Sequence, residues 1–498
     1  MSLPFTIERP TLATVFALST VGLLLFLRRL FTCPSKLRHL PQVPITPTIL
    51  SFLSGQTEAW RTEHLLLPTA KKHNAPVVVI WALGEWYVHV LDHKVAREFM
   101  DNRSILKQSP HEDMVFWKFA GTNNIFFADG DVWAKHARAV REVLHRNVPI
   151  DTFVTLTHKL FSVLADGGNQ PWSSLAHRFA LDIVGHSVLG HDFEALEWPN
   201  GFLVKQYRDV MHDISQPLYI AFPILERWLP RTSLRARVQD LRARFAQLLA
   251  LKRSDPGIDF ISLMLDLQSS MSDIEYLDNI VTMFMAGHDT TAGALSSVVY
   301  YLATHPECQA RARDEAMSVL SPTRDIDLER LSYITVTQFQ NMPYLNACIR
   351  ESMRLNGPSV LTIPRISPSP ITLGSYLIPP NVPIALNLYA VLHNTDVFGS
   401  TCDEFIPERW LDKPQVSSAN TRQVDLDAAW MPFSTGPRRC PAMNFSLYEQ
   451  RTLLSMLLIK YEWTLPQDSK HCEGLKNGLS TFALNLPEDL YIDFCRVR

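Results

Sequence analysis

Along the chain the spacing of apolar and polar positions changes several times, and each change predicts an element. No charged residue falls between Pro10 and Leu27. At a rise of about 1.5 Å per residue that run reaches roughly 27 Å, close to the hydrocarbon thickness of a bilayer, so a single N-terminal transmembrane helix is expected. Arg28, Arg29, Lys36 and Arg38 follow it while only Glu8 and Arg9 precede it, which by the positive-inside rule leaves the body in the cytosol. A cleaved signal peptide would instead want a basic start, a shorter apolar centre and a small-residue cleavage site. Pro34, Pro41, Pro44 and Pro47 then predict a stiff, extended connection. Residues 76–92 are rich in valine and aromatic residues around Gly84-Glu85 and read as a hairpin. Helix-forming stretches cover 176–190, 202–251, 276–304 and 343–355, and the apolar run Phe445 to Leu458 reads as a further helix. Short strands are expected within 370–389, interrupted by Pro379, Pro380 and Pro383, and near 475–495. The sum is mainly α with minor β.

Composition narrows the class. A length rule alone would divide 498 residues into about three domains, yet no Gly/Ser linker or charge block does so. The expected organisation is an anchor at 1–30, a proline-containing linker at 31–69 and one large body at 70–498. Hydrophobic residues make up 46% and charged residues 19%, enough to fill a sizeable core. The net charge of −3, with both signs interspersed, gives no sign of a nucleic-acid partner. Cys33, Cys308, Cys348, Cys402, Cys440, Cys472 and Cys495 form no CxxC pair, which fits a reducing compartment better than a disulfide scaffold or zinc site.

One cysteine stands in chemically loaded company: Phe433-Ser434-Thr435-Gly436-Pro437-Arg438-Arg439-Cys440-Pro441-Ala442. Backbone N–H groups, nearby cations or a metal convert a buried cysteine from a small hydrophobe into a thiolate ligand. Gly436 can take the positive φ that turns N–H groups inward, and the helix expected to begin just after Cys440 favours negative charge at its start. A lone cysteine would read as inert core, but Phe433-x-x-Gly436-x-Arg438-x-Cys440 resembles the haem-binding loop of the cytochrome P-450 monooxygenases. That resemblance runs in order from about residue 70 to the end. It implies the P-450 fold, a triangular helical body with small β-sheets. It makes 70–498 a haem-thiolate catalytic domain, with Cys440 the axial ligand of the iron in haem b, Phe433 packed beside the sulfur and Arg438 paired with a haem propionate. The family usually has glycine where Ala442 stands; a methyl group there should not abolish ligation.

Ala286-Gly287-His288-Asp289-Thr290-Thr291 breaks the apolar face of the helix expected at 276–304. Alone it would read as a solvated face or a packing glycine. It is also similar to the family's oxygen-activation motif, which implies that Thr290 hydrogen-bonds the bound oxygen and that Asp289 delivers protons with ordered water. A threonine so placed can bond back to a carbonyl one turn earlier, and Ala286 and Gly287 are expected to leave room for dioxygen. Glu351 and Arg354 share a helix face, and by resemblance Arg409, in Phe405-Ile406-Pro407-Glu408-Arg409-Trp410, joins them in a buried structural network. Breaking such a network costs about 3–5 kcal/mol because a charge is left uncompensated. Arg365 in Pro364-Arg365 and Trp133 in Asp131-Val132-Trp133-Ala134-Lys135-His136-Ala137-Arg138 resemble the family's propionate clamps. Where the family commonly has arginine, four residues after the tryptophan, this chain has Ala137; His136 is the expected substitute, ahead of Arg138.

By family position the distal pocket should draw on residues 107–127, 202–224, Met283, Phe284, 360–363 and 481–484. These are overwhelmingly apolar or aromatic and imply a lipophilic substrate. No buried charge in the sequence stands out to bind a carboxylate. The resemblance is to microsomal members of fungal secondary metabolism. It implies a terpenoid or polyketide-like substrate, with a fatty acid or sterol as the alternative, and an endoplasmic-reticulum membrane location. Electrons are expected from NADPH through a separate P-450 reductase, with cytochrome b5 a further candidate partner, since no GxGxxG follows a convincing strand. Lys135, Arg138, Arg141, Arg146 and Arg439 are candidates for its docking face. Competing readings are a haem-thiolate isomerase or dehydratase that needs no reductase, and a membrane haem electron carrier.

Overall fold

The computed structural model describes residues 20–22, 28, 30–146, 148–267, 270–320, 331, 333–411, 426–480 and 482–497. Apart from 20–22, 28 and 30 the expected anchor at 1–30 lies outside them, and among the described residues no helix is long and apolar enough to cross a membrane.

The hairpin forms from Val77–Ala82 and Glu85–Val90, with Trp81 opposite Trp86 and Ala82 opposite Glu85. The turn is Leu83-Gly84, one residue earlier than expected. Both residues have positive φ (50° and 85°), the backbone that matches the right-handed twist of the flanking strands. Ile384–Leu386 pairs in parallel with the second strand, and Arg365–Ile366 and Leu106–Lys107 complete a five-stranded sheet. Alternation sorts the hairpin's side chains. Val77, Val79, Trp81, Trp86, Val88 and Val90 enter one buried cluster, and Val78 and Ile80 enter another on the opposite face.

The segment expected to be an extended proline connection is instead packed onto this sheet. Leu37, Leu40 and Val43 are buried, the Val43 N–H donates to Val79 O at 2.9 Å, and the helix Ile45–Leu53 buries Phe52. Apolar residues between the prolines supply a buried face, which outweighs the extended preference. The stretch 202–251 is likewise not one helix. It divides into Phe202–Ile214, Pro217–Ala221, Leu225–Trp228 and Thr232–Ser254, with Pro217, Pro223 and Pro230 at or next to the breaks.

The central helix, Asp273–Thr304, opens with a capping box in which Ser272 and Glu275 satisfy each other's backbone N–H. It packs on the helices Trp172–Val184 and Pro343–Asn356. In the latter, the wholly buried carboxylate of Glu351 takes Arg354 Nε and Nη2 at 2.9 Å each, Arg409 Nε at 3.1 Å, the Ile406 N–H at 3.2 Å and Trp410 Nε1 at 2.9 Å. Glu351, Arg354 and Arg409 thus meet in one place, a structural one, away from the lining of the cavity at Cys440.

Two imidazoles, one buried (His89) and one half-buried (His393), make folding pH-dependent. Burial, with Arg354 adding to it for His393, pushes His89 and His393 down to about 4 from 6.5. Both are neutral when folded and take up a proton on unfolding below about pH 6.5, so their contribution is complete above that pH and is lost as pH falls towards 4. The urea midpoint should therefore fall steeply across this window, and His89→Phe should flatten the slope by about one proton.

Candidate active site

The loop Met431 to Ala442 is shaped by two residues of positive φ, Ser434 (62°) and Gly436 (73°), and closed by the Cys440 N–H donating to Phe433 O at 3.0 Å. A side chain at Gly436 would be strained: it takes positive φ, and a Cβ there would lie 2.8 Å from Asp101 Oδ1 and 3.0 Å from Met100 O. The helix Met443–Lys460 starts three residues after the cysteine. From the protein groups alone, burial pushes the Cys440 thiol up to about 11, against the Ala442 N–H and Arg439. The protein groups alone therefore favour the neutral thiol, and a metal cation on the sulfur would favour the thiolate.

Cys440 and Phe433 line a cavity of about 250 Å³ whose walls include Trp133, Arg438, Lys107, Arg141, Ala286, Gly287, Thr290 and Leu361. The central helix and the cysteine helix are joined beside it by Thr291 and Ser446, hydroxyl to hydroxyl at 3.2 Å. Thr290 Oγ1 donates to Ala286 O at 2.7 Å. Gly287 has a packing reason rather than only a spacing one, since a Cβ would stand 2.9 Å from Val184 Cγ2.

Asp289 and Thr290 also line a small apolar cavity with Phe116, Trp117, Phe126, Met211 and Phe482. The Asp289 carboxylate meets His288 Nε2 at 3.0 Å and His177 Nδ1 at 3.5 Å. His288 Nδ1 faces Phe284 O at 2.8 Å, so that nitrogen carries a proton, and Nε2 donates to Asp289 only in the imidazolium form. Burial opposes that charge, but Asp289 and the carbonyl hold the His288 pKa above its ordinary value. Burial opposes ionisation of Asp289 too; His288 and His177 outweigh it and keep its carboxyl well below the usual range. His177 is about one-third exposed, so the aspartate connects a solvent-facing imidazole to the cavity.

Cations crowd the other side. Arg438 donates to Ala128 O at 2.7 Å and to Asp129, and its guanidinium lies 4.5 Å over the Trp133 ring. Lys107 and Arg365 stand directly opposite each other on paired strands, an arrangement of like charges that is destabilising by itself. Arg365 is buried, and among the described residues its Nε and Nη2 have no hydrogen-bond partner. Burial and Arg438 push Arg365 down to about 10, and burial with both arginines holds Lys107 well below the lysine range. Asp129 is the carboxylate that answers them. An apolar cavity with a half-buried sulfur and Lys107, Arg141 and Arg438 on its walls, and with Arg365 paired to Lys107 but not itself in the lining, fits a metal macrocycle carrying acidic side arms, as haem does.

His136 is not part of this arrangement. It is fully buried, with Nε2 on Glu275 Oε1 at 3.0 Å and Nδ1 3.3 Å from Asn279 Nδ2, so it braces the start of the central helix. Arg138 is exposed and absent from the lining. On the same helix as Trp133 the cation that reaches its ring, beside Arg438, is Arg141, two turns on, which donates to Pro437 O at 2.5 Å; it lines the cavity as well as being a candidate for the docking face. Lys107 falls at the edge of the expected 107–127 lining, but its part in the cationic group has no local pattern in its short strand, and only the pairing with Arg365 exposes it. Of the expected distal positions, Met114, Phe116, Trp117, Leu361 and Phe482 line cavities, and Thr481 is outside the described residues.

Residues 41–490 match the family model for Cytochrome P-450. The chain is 25% identical over 464 residues to cytochrome P-450 monooxygenase xanG of Aspergillus fumigatus, covering 87% of this chain and 83% of that one. It is 29% identical over 457 residues to cytochrome P-450 monooxygenase cpaH of Aspergillus oryzae, covering 84% of each. A third relative, the self-sufficient cytochrome P-450 monooxygenase CYP505AG1 of Oidiodendron maius, is 30% identical over 305 residues, 58% of this chain and 26% of that one. Among solved structures, the haem domain of cytochrome P-450DA superposes with a TM-score of 0.75 at 19% identity, covering 92% of this chain and 97% of that one.

Replacing Arg365 by methionine removes a buried cation with idle donors. The variant should take up hemin about tenfold more weakly, since a charged hydrogen bond is worth about 1.5–3 kcal/mol; a hemin titration followed by absorbance checks this.

Proposed function

The chain belongs to the cytochrome P-450 family of haem-dependent monooxygenases, and from that premise we propose that it oxidises a lipophilic small molecule of fungal secondary metabolism, of terpenoid or polyketide type, at a membrane. The observation that carries the reading is the single cavity that has Cys440, the cationic group around Arg438 and Lys107, and Thr290 among its walls. Cys440 would hold the iron of the haem through its sulfur, and Arg438, Arg365, Lys107 and Trp133 would hold its acidic side arms. Once bound, the haem supplies reductive activation of dioxygen and insertion of one oxygen atom into a C–H bond.

The chain's own residues do the rest. Phe116, Trp117, Phe126 and Phe482 bind and orient an apolar molecule and exclude water. The Thr290 hydroxyl, held on Ala286 O, presents its oxygen to the cavity as an acceptor. Asp289, kept ionised between two imidazoles, accepts a proton from the solvent side at His177 and returns it towards Thr290. This proton route favours monooxygenation over a haem-thiolate isomerisation or dehydration, which has less use for it.

Electrons would come from NADPH through a separate reductase, docking near exposed Arg439 and Arg146. The apolar run 10–27 would anchor the protein in the endoplasmic reticulum membrane with the body facing the cytosol. An exposed apolar rim supports that orientation. Leu50 and Leu53 belong to a helix that packs on the one carrying exposed Leu218, and Tyr219 donates to the backbone of exposed Leu229 at 3.0 Å.

Reduced, membrane-expressed protein should give the strongly red-shifted carbon monoxide difference band of thiolate-ligated haem, and Cys440→Ser should lose it while keeping its helical circular dichroism. Well-folded wild-type protein without that band would overturn the reading. Thr290→Ala should keep haem and reduction but divert electrons to peroxide several-fold more than wild type. Asp289→Asn should slow turnover by about 10²-fold, the scale of a lost general acid–base group. Peroxide yield per NADPH consumed separates the two.

A further inference from the structure

A second chamber of about 160 Å³ lies on the sheet side of the active-site cavity. Ser359, Leu361, Thr362, Ile363 and Phe482 line both, so the two share a wall. Phe482 also lines the small cavity beside Thr290, and its ring packs 5.3 Å from Phe116 and 5.9 Å from Trp117. One surface of the second chamber is a face of the hairpin. Tyr87 and His89, two apart on a strand, point the same way, and Ile80 stands opposite Tyr87. Glu58 and Arg61 line it as well.

The chemistry here differs from that beside Cys440. His89 is buried, and its tautomer is set by its neighbour. Asn387 caps the helix Leu388–Leu392, its Oδ1 accepting from the Ala390 N–H at 2.9 Å. That fixes which end of the amide is Nδ2, and Nδ2 faces Thr62 Oγ1 at 2.8 Å and His89 Nδ1 at 3.5 Å. His89 Nδ1 is therefore an acceptor, and the ring proton sits on Nε2, which makes no hydrogen bond among the described residues. Burial keeps the ring neutral at neutral pH.

Arg61, 1% exposed and 3.8 Å over the Phe52 ring, places Nε and Nη2 on Glu58 Oε1 at 3.1 and 2.6 Å and Nη1 on Gln56 O at 2.7 Å. A guanidinium has five N–H groups, so two remain. Glu58 answers its charge. The Tyr87 hydroxyl and Gln108 Nε2 are both engaged on Glu85 Oε1, at 2.9 and 2.8 Å. The chamber thus offers buried donors without a net positive charge.

We infer that this chamber is a subsite for a neutral hydrogen-bond-accepting oxygen, a keto, ester or hydroxyl group, held by His89 Nε2–H and the remaining N–H groups of Arg61 while the apolar remainder of the molecule passes Phe482 to reach the cavity at Cys440. This rests on the monooxygenase reading and narrows its substrate class: a molecule already oxygenated at the end remote from the C–H bond that is oxidised. A pure hydrocarbon would strip water from these donors and give them nothing in return. A carboxylate would meet an arginine already paired and a carboxylate beside it.

The test titrates haem-loaded full-length protein with 2-decanone, decane and decanoate. Binding is followed by the Soret spin-state shift and, independently of haem, by tryptophan fluorescence, since Trp117 lines the chamber. The ketone should bind at least tenfold tighter than the alkane although it is the less hydrophobic of the two, and decanoate should bind more weakly than the ketone. His89→Phe should bring the ketone-to-alkane ratio near one, and His89→Gln, which keeps an N–H donor, should retain part of it. A wild-type ratio near one, a ratio unchanged in His89→Phe, or decanoate as the tightest ligand would overturn the assignment. The wild-type ratio decides even if His89→Phe does not fold. Failure of the monooxygenase reading shows separately, as loss of the red-shifted carbon monoxide band with the fluorescence ratio intact.

Discussion

The Glu351 carboxylate is where distant parts of the chain are made to agree. Its hydrogen bonds come from its own helix, from the backbone at Ile406 and from Arg409 and Trp410. Arg354, in turn, donates to the carbonyls of Leu392 and Glu404 at 3.0 and 3.1 Å. A buried ion pair of this kind gains little stability over a well-packed apolar one, but it is unforgiving of error, because any misplaced partner leaves a bare charge. The helix it fixes packs on both the central helix and the cysteine helix, so the positions of Thr290 and Cys440 are inherited from it.

A second carboxylate does comparable work nearer the chemistry. Asp278, on the central helix, accepts the N–H groups of Thr122 and Asn123 at 3.0 and 2.8 Å and pairs with Arg242. Gly121 is obligatory beside it, since a Cβ would lie 2.1 Å from the carboxylate carbon. The next residue, Asn279, takes the Ile125 N–H at 3.0 Å. The loop that carries Phe126 is thereby tied to the helix that carries Thr290. In contrast, the cationic side of the cavity is left out of balance, with Lys107 facing Arg365 across a strand pair. The fold spends stability on charge at the point where an acidic ligand would restore it.

What the sequence made legible were features with a local signature. The Cys440 loop, the Ala286 to Thr291 stretch and the Glu351/Arg354 spacing each have a short-range reason for their residues, and the structure places each on the expected kind of element. The strands at 371–378 and 477–496 follow from composition and prolines. What failed was decided by tertiary packing. Proline-spaced residues 34–47 read as extended, but the apolar residues among them found a face on the sheet. His136 has the right chemistry and the wrong helical phase, and Glu275 claims it. Lys107 lies in the expected 107–127 lining, but nothing local marks it as a cation of the site, because that role comes from the strand opposite. The long stretch 202–251 carried its own breaks in Pro217, Pro223 and Pro230, which helix-forming neighbours obscured.

Asn387 serves two masters. As a cap it closes the first turn of a helix, and the same amide decides where the His89 proton resides. The pattern of donors presented to the second chamber is thus a by-product of how a neighbouring helix begins. Asn387→Asp would leave the cap intact and reverse the histidine, turning an inward donor into an inward acceptor without altering a single side chain on the chamber wall.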